Sequence, residues 1–242
     1  MHGDDMGQLP EFAVRVHAGT RRIRLRVTPR EGLIVTLPPD TPASAALDAV
    51  CRNRQWVERA LARTASRRAL HRAGPEGLLP TAVCLRLTGE ELPVAYRETE
   101  SGRCVARDTD GAVVVTGSVR NAEACLGALL RWRDRKAASV LPALLGEVAG
   151  EAAVVVPRLT LRTQRTRWGS CSSRGTVSLN RNLVFFPAAL ARHVVAHEIA
   201  HLRHPNHSSR FWEYFEALDP GARQRRRRLK DAWSLVPPWA EP

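Results

Sequence analysis

Residues 187–208 read PAALARHVVAHEIAHLRHPNHS, and the fold and chemistry expected of the chain turn on this stretch. Leu190, Val194, Val195, Ile199 and Leu202 recur at spacings of three and four, the period of an amphipathic helix, and Pro187 suits its first turn. Pro205 cannot continue a helix and disfavours helical geometry in the residue before it, so the helix should end near Arg203 or His204. Within it lies His197-Glu198-Ile199-Ala200-His201, the pattern H-E-x-x-H. Residues four apart share one helix face, about 6 Å apart along the axis. Two imidazoles so placed can converge on one Zn²⁺, while Glu198, one position round, can reach a water on the metal. Zinc lowers the pKa of that water and polarises a carbonyl or phosphoryl oxygen, and a neighbouring carboxylate acts as general base and then general acid. Glu198 is the candidate for that role.

A catalytic zinc needs three protein ligands and an open position. A reversal at Pro205-Asn206 can swing His207 back over the site, giving H-E-x-x-H-x-x-x-x-x-H, the spacing by which metzincin-type sites take their third histidine. His204 competes, at i+3 from His201, but has no such path over the open side. A purely structural zinc would want a fourth ligand and leave Glu198 without a task. The reading is therefore one Zn²⁺ per chain, on His197, His201 and His207. Ser208 should cap a following helix that carries Phe211, Trp212, Phe215 and Leu218 on one face.

Upstream, the alternation of Ile23, Leu25 and Val27 with Arg22, Arg24 and Arg26, then Glu31-Gly32 and an apolar run to Leu37, predicts a β-hairpin within 12–37. Thr41-Pro42 reads as a helix cap, followed by two short helices bearing Leu47, Val50, Trp56, Val57, Ala60 and Leu61 and ending near Arg68. Residues 74–80, rich in Gly and Pro, read as a linker. Four short strands over 83–116 suggest a small antiparallel sheet. A long helix should start at Asn121 and kink or break at Leu141-Pro142. Residues 159–161 and 176–179 read as strands on either side of a Trp168-Gly169-Ser170-Cys171-Ser172-Ser173 connection.

Composition narrows the function classes. No apolar run approaches the roughly 20 residues that span a bilayer. The start, Met1-His2-Gly3-Asp4-Asp5, is acidic where a secretory signal carries positive charge, so a cytoplasmic protein without a membrane partner is expected. Five cysteines, never paired as C-x-x-C, argue against a disulfide framework and a cysteine-rich zinc ribbon. The net charge of +13 is almost wholly arginine, with Lys136 and Lys230 the sole lysines, and reads as genome-wide codon bias. Charge alone leaves a nucleic-acid partner open without favouring it. The arginine run of 223–228 reads as a solvated helix face, with Leu229 and Trp233 packing on the core.

The residues Arg167-Trp168-Gly169-Ser170-Cys171-Ser172-Ser173, then Thr176 to Asn180, His197-Glu198-Ile199-Ala200-His201-Leu202, Pro205-Asn206-His207-Ser208 and Phe211-Trp212, together resemble the YgjP-like metallopeptidase family, related to the SprT and WLM zincins. The resemblance is strongest over 159–233. It implies a minimal zincin, with His197, His201 and His207 as ligands and Glu198 catalytic. It also implies poorly known substrates, since some relatives are described as nucleotide pyrophosphatases acting on UTP. On its own residues, the segment from Trp168 to Leu179 allows tight turns at Gly169 and Gly175. The strand 176–179, through Thr176 and Ser178, could lie as an edge over the cleft and hold an extended peptide. Arg165 or Arg167 could grip a carboxylate, a phosphate or a developing oxyanion. Trp168 and Cys171 could equally be packing residues, and Cys171 lacks a histidine partner for nucleophilic work.

The expectation is an α+β protein with an N-terminal β-rich region over 1–118 and a zincin-like domain over 119–242, its metal-bearing helix packed on a small sheet. Three functions follow: hydrolysis of a peptide or protein substrate, nucleotide phosphoanhydride hydrolysis at the same site, or nucleic-acid binding with structural zinc.

Overall fold

The computed structural model describes residues 9–28, 31–70, 79–229 and 231–241. The chain divides into two compact units, 1–73 and 74–242. In the first, β1 (Phe12–Val16), β2 (Arg24–Thr28) and β3 (Gly32–Leu37) form a sheet of order β1-β3-β2. β2 and β3 are the expected hairpin, antiparallel with Val27 opposite Leu33. The preceding strand, β1, joins it parallel to β3, a pairing that alternation cannot reveal because period two marks faces and not partners.

Two helices follow, α1 (Ser44–Arg52) and α2 (Arg54–Leu70). α1 starts later than the Thr41 cap expected: Ala43 is its N-cap, and the Pro42 carbonyl accepts from the Ala45 amide in the turn before it. Asn53 separates the helices by donating its side-chain amide to the Ala49 carbonyl. Leu33, Val35, Leu37, Ala46, Val50 and Val57 form this unit's core, while Leu47 and Trp56, expected on the apolar face, are exposed. The linker read over 74–80 lies mostly outside the described residues.

In the second unit, β4 (Ala82–Leu85), β5 (Glu90–Glu98), β6 (Val105–Thr109) and β7 (Ala112–Gly117) form a sheet of order β4-β5-β7-β6. It is mixed rather than antiparallel, because β5 and β7 run parallel. Asn121 caps α3 (Ala122–Glu151), accepting from the Ala124 amide as its sequence position suggests. Pro142 does not break this helix: Leu141 and Leu145 are buried on either side of it, so packing outweighs the one backbone hydrogen bond that proline removes.

Val113 and Val115 of β7, Leu129 and Trp132 of α3, and Val195 and Ile199 from the motif helix share one hydrophobic core. The division between units therefore falls at 73/74 rather than at the 118/119 boundary read from the sequence, since the strands of 82–117 bury their apolar face against α3.

Three further strands, β8 (Arg158–Arg162), β9 (Gly169–Cys171) and β10 (Thr176–Asn180), form a sheet of order β8-β10-β9. Helices α4 (Ala188–Arg203), α5 (Ser209–Leu218) and α6 (Ala222–Leu229) follow, with short 3-10 turns at Arg181–Phe185, Ala232–Leu235 and Pro238–Ala240. The mixed α+β class expected from the sequence is the one observed.

Candidate metal centre and cleft

α4 starts at Ala188 behind Pro187 and ends with His204 as its C-cap, the residue before Pro205. Val194, Val195, Ile199 and Ala200 bury one side of it in the core, which fixes the rotation of the opposite side. That side carries His197 and His201. The chain reverses through Pro205 and Asn206, and Ser208 caps α5 by accepting from the Phe211 amide. The reversal brings His207 back over α4. The His197 Nε2 atom lies 3.2 Å from Nε2 of both His201 and His207, and one ligand atom from each of the three residues lies within 4.8 Å of the others. Phe211 packs against all three rings at centroid distances of 5.1, 4.7 and 4.7 Å.

These imidazoles suit a divalent metal. Two nitrogens each about 2.05 Å from a tetrahedral zinc stand about 3.3 Å apart, close to the observed spacing. His201 Nδ1 lies 3.2 Å from the His204 carbonyl oxygen, to which it donates when protonated, leaving Nε2 with its lone pair directed at the other histidines. Burial pushes the His197 imidazole down to about 3, helped by the charges of His201, His207, His193 and Arg226, and His207 is lowered for the same leading reason. Neutral imidazoles are the form that binds metal. His204, the competitor for third ligand, turns its ring to Tyr214 at 5.6 Å and offers the site its carbonyl oxygen instead.

Glu198 is 6% exposed, and burial pushes its carboxyl up to about 7 against the opposing pull of the Arg167 charge. It faces Gly169 of β9, where a Cβ would come within 2.6 Å of the Glu198 Cγ and Oε1 atoms. The strand passes the carboxylate this closely because residue 169 has no side chain.

A cleft of about 750 Å³ opens here, lined among others by Arg167, Ser170, Cys171, Glu198, His201 and His207. Of the substrate-binding residues read from the sequence, Arg167 alone lines it. Arg165 is exposed outside it. The Thr176 backbone closes a turn with Ser172, donating to its Oγ at 3.1 Å and accepting from its amide at 3.0 Å. Ser178 is 7% exposed inside the sheet. The strand carrying both is central, because β8 pairs with one side of β10 and β9 with the other. The edge strand beside α4 is β9, within the segment read as a connection; its three residues show no apolar alternation to mark it.

Further residues surround the site. Asn180, fully buried, donates to the Gln164 and Arg167 carbonyls at 2.8 and 3.1 Å and so ties down the loop carrying Arg167. One turn before His197, His193 Nδ1 lies 2.5 Å from Asp219 Oδ2, and Arg225 pairs with the same carboxylate. Trp168 is a packing residue, 4.6 Å from Phe186 and 4.3 Å from Trp233 between ring centroids. The Cys171 thiol is pushed up by burial and by the Glu198 charge, the opposite of an activated nucleophile.

No helix among the described residues is long and apolar enough to cross a membrane. No curated protein shows significant similarity to the chain. Among solved structures, the crystal structure of the metallopeptidase zymogen of Pyrococcus abyssi abylysin is 23% identical, with a TM-score of 0.35 over 38% of this chain and 93% of that one. The family model described as YgjP-like, metallopeptidase domain, matches residues 21–232. That span takes in the loop of Arg167, strand β9 and all three clustered histidines, and the chain belongs to the YgjP-like family of metallopeptidase domains.

Proposed function

We propose that the chain is a zincin-like zinc peptidase that cleaves peptide bonds, with one Zn²⁺ held by His197, His201 and His207 and Glu198 as general base and acid. The observation that carries this reading is the meeting of three imidazole nitrogens beside a buried carboxylate in an open cleft. When bound, zinc supplies Lewis acidity and brings the pKa of water toward neutrality.

The remaining work falls to the chain. The exposed edge of β9 accepts an extended peptide as an added strand, which sets the scissile bond over His201 and Glu198. A Glu198 carboxylate oxygen takes a proton from the attacking water and returns it to the leaving amine. A carboxyl raised by burial to about 7 can both take up that proton and give it back near neutral pH. Arg167, its loop fixed by Asn180, places a permanent positive charge at the cleft to meet charge developing on the carbonyl oxygen.

The test is a panel of unstructured protein substrates and nucleoside triphosphates, assayed with Zn²⁺ and with Mg²⁺ for the natural chain and Glu198→Gln. Peptide cleavage with Zn²⁺ that is abolished in the variant, with metal still bound, supports the proposal. Turnover confined to the triphosphates would overturn it.

A further inference from the structure

Beside the metal centre lies a second pocket, of about 480 Å³, lined by Trp212, Arg223, Arg226 and Arg227. It adjoins the cleft at His207, which lines the cleft and whose ring centroid is 6.3 Å from that of Trp212. The arginines sit at i, i+3 and i+4 of α6 and so share one face of the helix. Two of them stack toward the indole: the guanidinium carbons of Arg223 and Arg226 lie 5.4 and 5.2 Å from the ring centroid. Arg223 also pairs with Glu216 at 3.5 Å, whereas among the described residues no carboxylate lies within ion-pair distance of Arg226 or Arg227.

A guanidinium lying against an aromatic face keeps its in-plane N–H donors free at the rim, where they match the two oxygens of a carboxylate. A solvated arginine face needs no such indole support. The arginines here instead form a wall with more positive charge than the protein neutralises, next to the exposed member of the histidine cluster.

We propose that Trp212, Arg223, Arg226 and Arg227 form a specificity subsite that receives an aspartate or glutamate side chain of a peptide substrate passing from the cleft over His207. The subsite rests on the peptidase reading of the cleft and adds a substrate class to it, acidic peptides. An extended peptide advances about 3.3 Å per residue, so the 6.3 Å between the His207 and Trp212 rings corresponds to about two residues of substrate.

The experiment uses the metal-loaded full chain and two fluorescein-labelled decapeptides, one rich in Asp and Glu and its counterpart with Asn and Gln in their place. Binding is read by anisotropy in the Glu198→Gln background, where turnover does not interfere, and cleavage in the natural chain. The acidic peptide is expected to bind at least about 10-fold more tightly than its amide counterpart, as charge-assisted bidentate contacts give. Arg226→Gln with Arg227→Gln should lower that ratio at least about 5-fold, the remainder coming from Arg223 and the net charge of +13. Arg226→Lys with Arg227→Lys should restore part of it, because charge returns without the fork. All these positions are exposed, and an unchanged circular dichroism melt verifies folding.

An acidic-to-amide ratio unmoved by the glutamine variants would overturn the subsite. So would tripolyphosphate that displaces the acidic peptide at far lower concentration through the same arginines, since the pocket would then be a phosphate site. Cleavage of both peptides at equal rates sinks the subsite and leaves the peptidase reading standing. Charge-dependent binding without cleavage of either peptide does the reverse.

Discussion

Gly169 and Glu198 touch, across the gap between strand β9 and helix α4, so closely that a methyl group on residue 169 would sit 2.6 Å from the carboxylate. Glu198 is only 6% exposed, so either its side chain shifts within the cleft or the strand gives way. Gly169→Ala is therefore expected to displace the Glu198 side chain or push β9 off α4. It should lower kcat by 100-fold or more while metal content stays unchanged, with a stability loss of about 1–3 kcal/mol from overpacking. Steady-state kinetics beside metal analysis of the same sample checks this. An alanine variant with full activity would show that the contact is unimportant.

His207 and His204 give a discriminating pair. The His204 ring faces Tyr214 and its contribution to the site is a backbone carbonyl, which alanine retains. His204→Ala should keep metal affinity within about 10-fold, whereas His207→Ala removes one of three nitrogens and should weaken it by well over 100-fold. Competition with a chromophoric chelator measures both, and the reverse order would reassign the third ligand.

The buried pair of His193 and Asp219 joins α4 to the segment between α5 and α6, and Arg225 balances the Asp219 charge. Burial lowers the His193 pKa below its ordinary 6.5, against the upward pull of Asp219. A depressed histidine adds stability that is fully present above about pH 6.5 and is lost as pH falls from there through the lower folded value. Denaturant titrations of metal-free protein from pH 8 to 5 should show that loss in the natural chain and a smaller one in His193→Gln. Equal slopes would remove His193 from the acid response. At neutral pH, Asp219→Ala should cost roughly 3 kcal/mol, because Arg225 and His193 lose their shared partner.

Asn180→Ala frees the Gln164 and Arg167 carbonyls together. The expected outcome is a loss of about 2 kcal/mol in stability and a fall in kcat/KM through misplacement of Arg167. Arg167→Ala in the same background should then add little further loss, a non-additivity that a double-mutant cycle measures.

Helix α4 was legible in the sequence because two independent signals coincide there: apolar period 3.6 from Leu190 to Leu202, and two histidines four apart. Pro205 marked its end and the turn that returns His207. Strand β9 was illegible because Gly-Ser-Cys carries no alternation; β10 therefore looked like an edge, although it is the central strand. The pairing of His193 with Asp219 spans 26 residues and depends on how α4 packs against α5, which no local pattern encodes. The same holds for the domain boundary, since Val113 and Val115 read as strand residues without showing that α3 is what covers them.

The proposed chemistry requires that three histidines bind one metal ion. Native mass spectrometry of the full chain, purified without chelator and then supplied with Zn²⁺, counts the bound ions. One ion per chain is expected in the natural protein and in Glu198→Gln, and none in a chain lacking His197 and His201. A natural chain that takes up no divalent ion, or holds one equally well without those histidines, would contradict it.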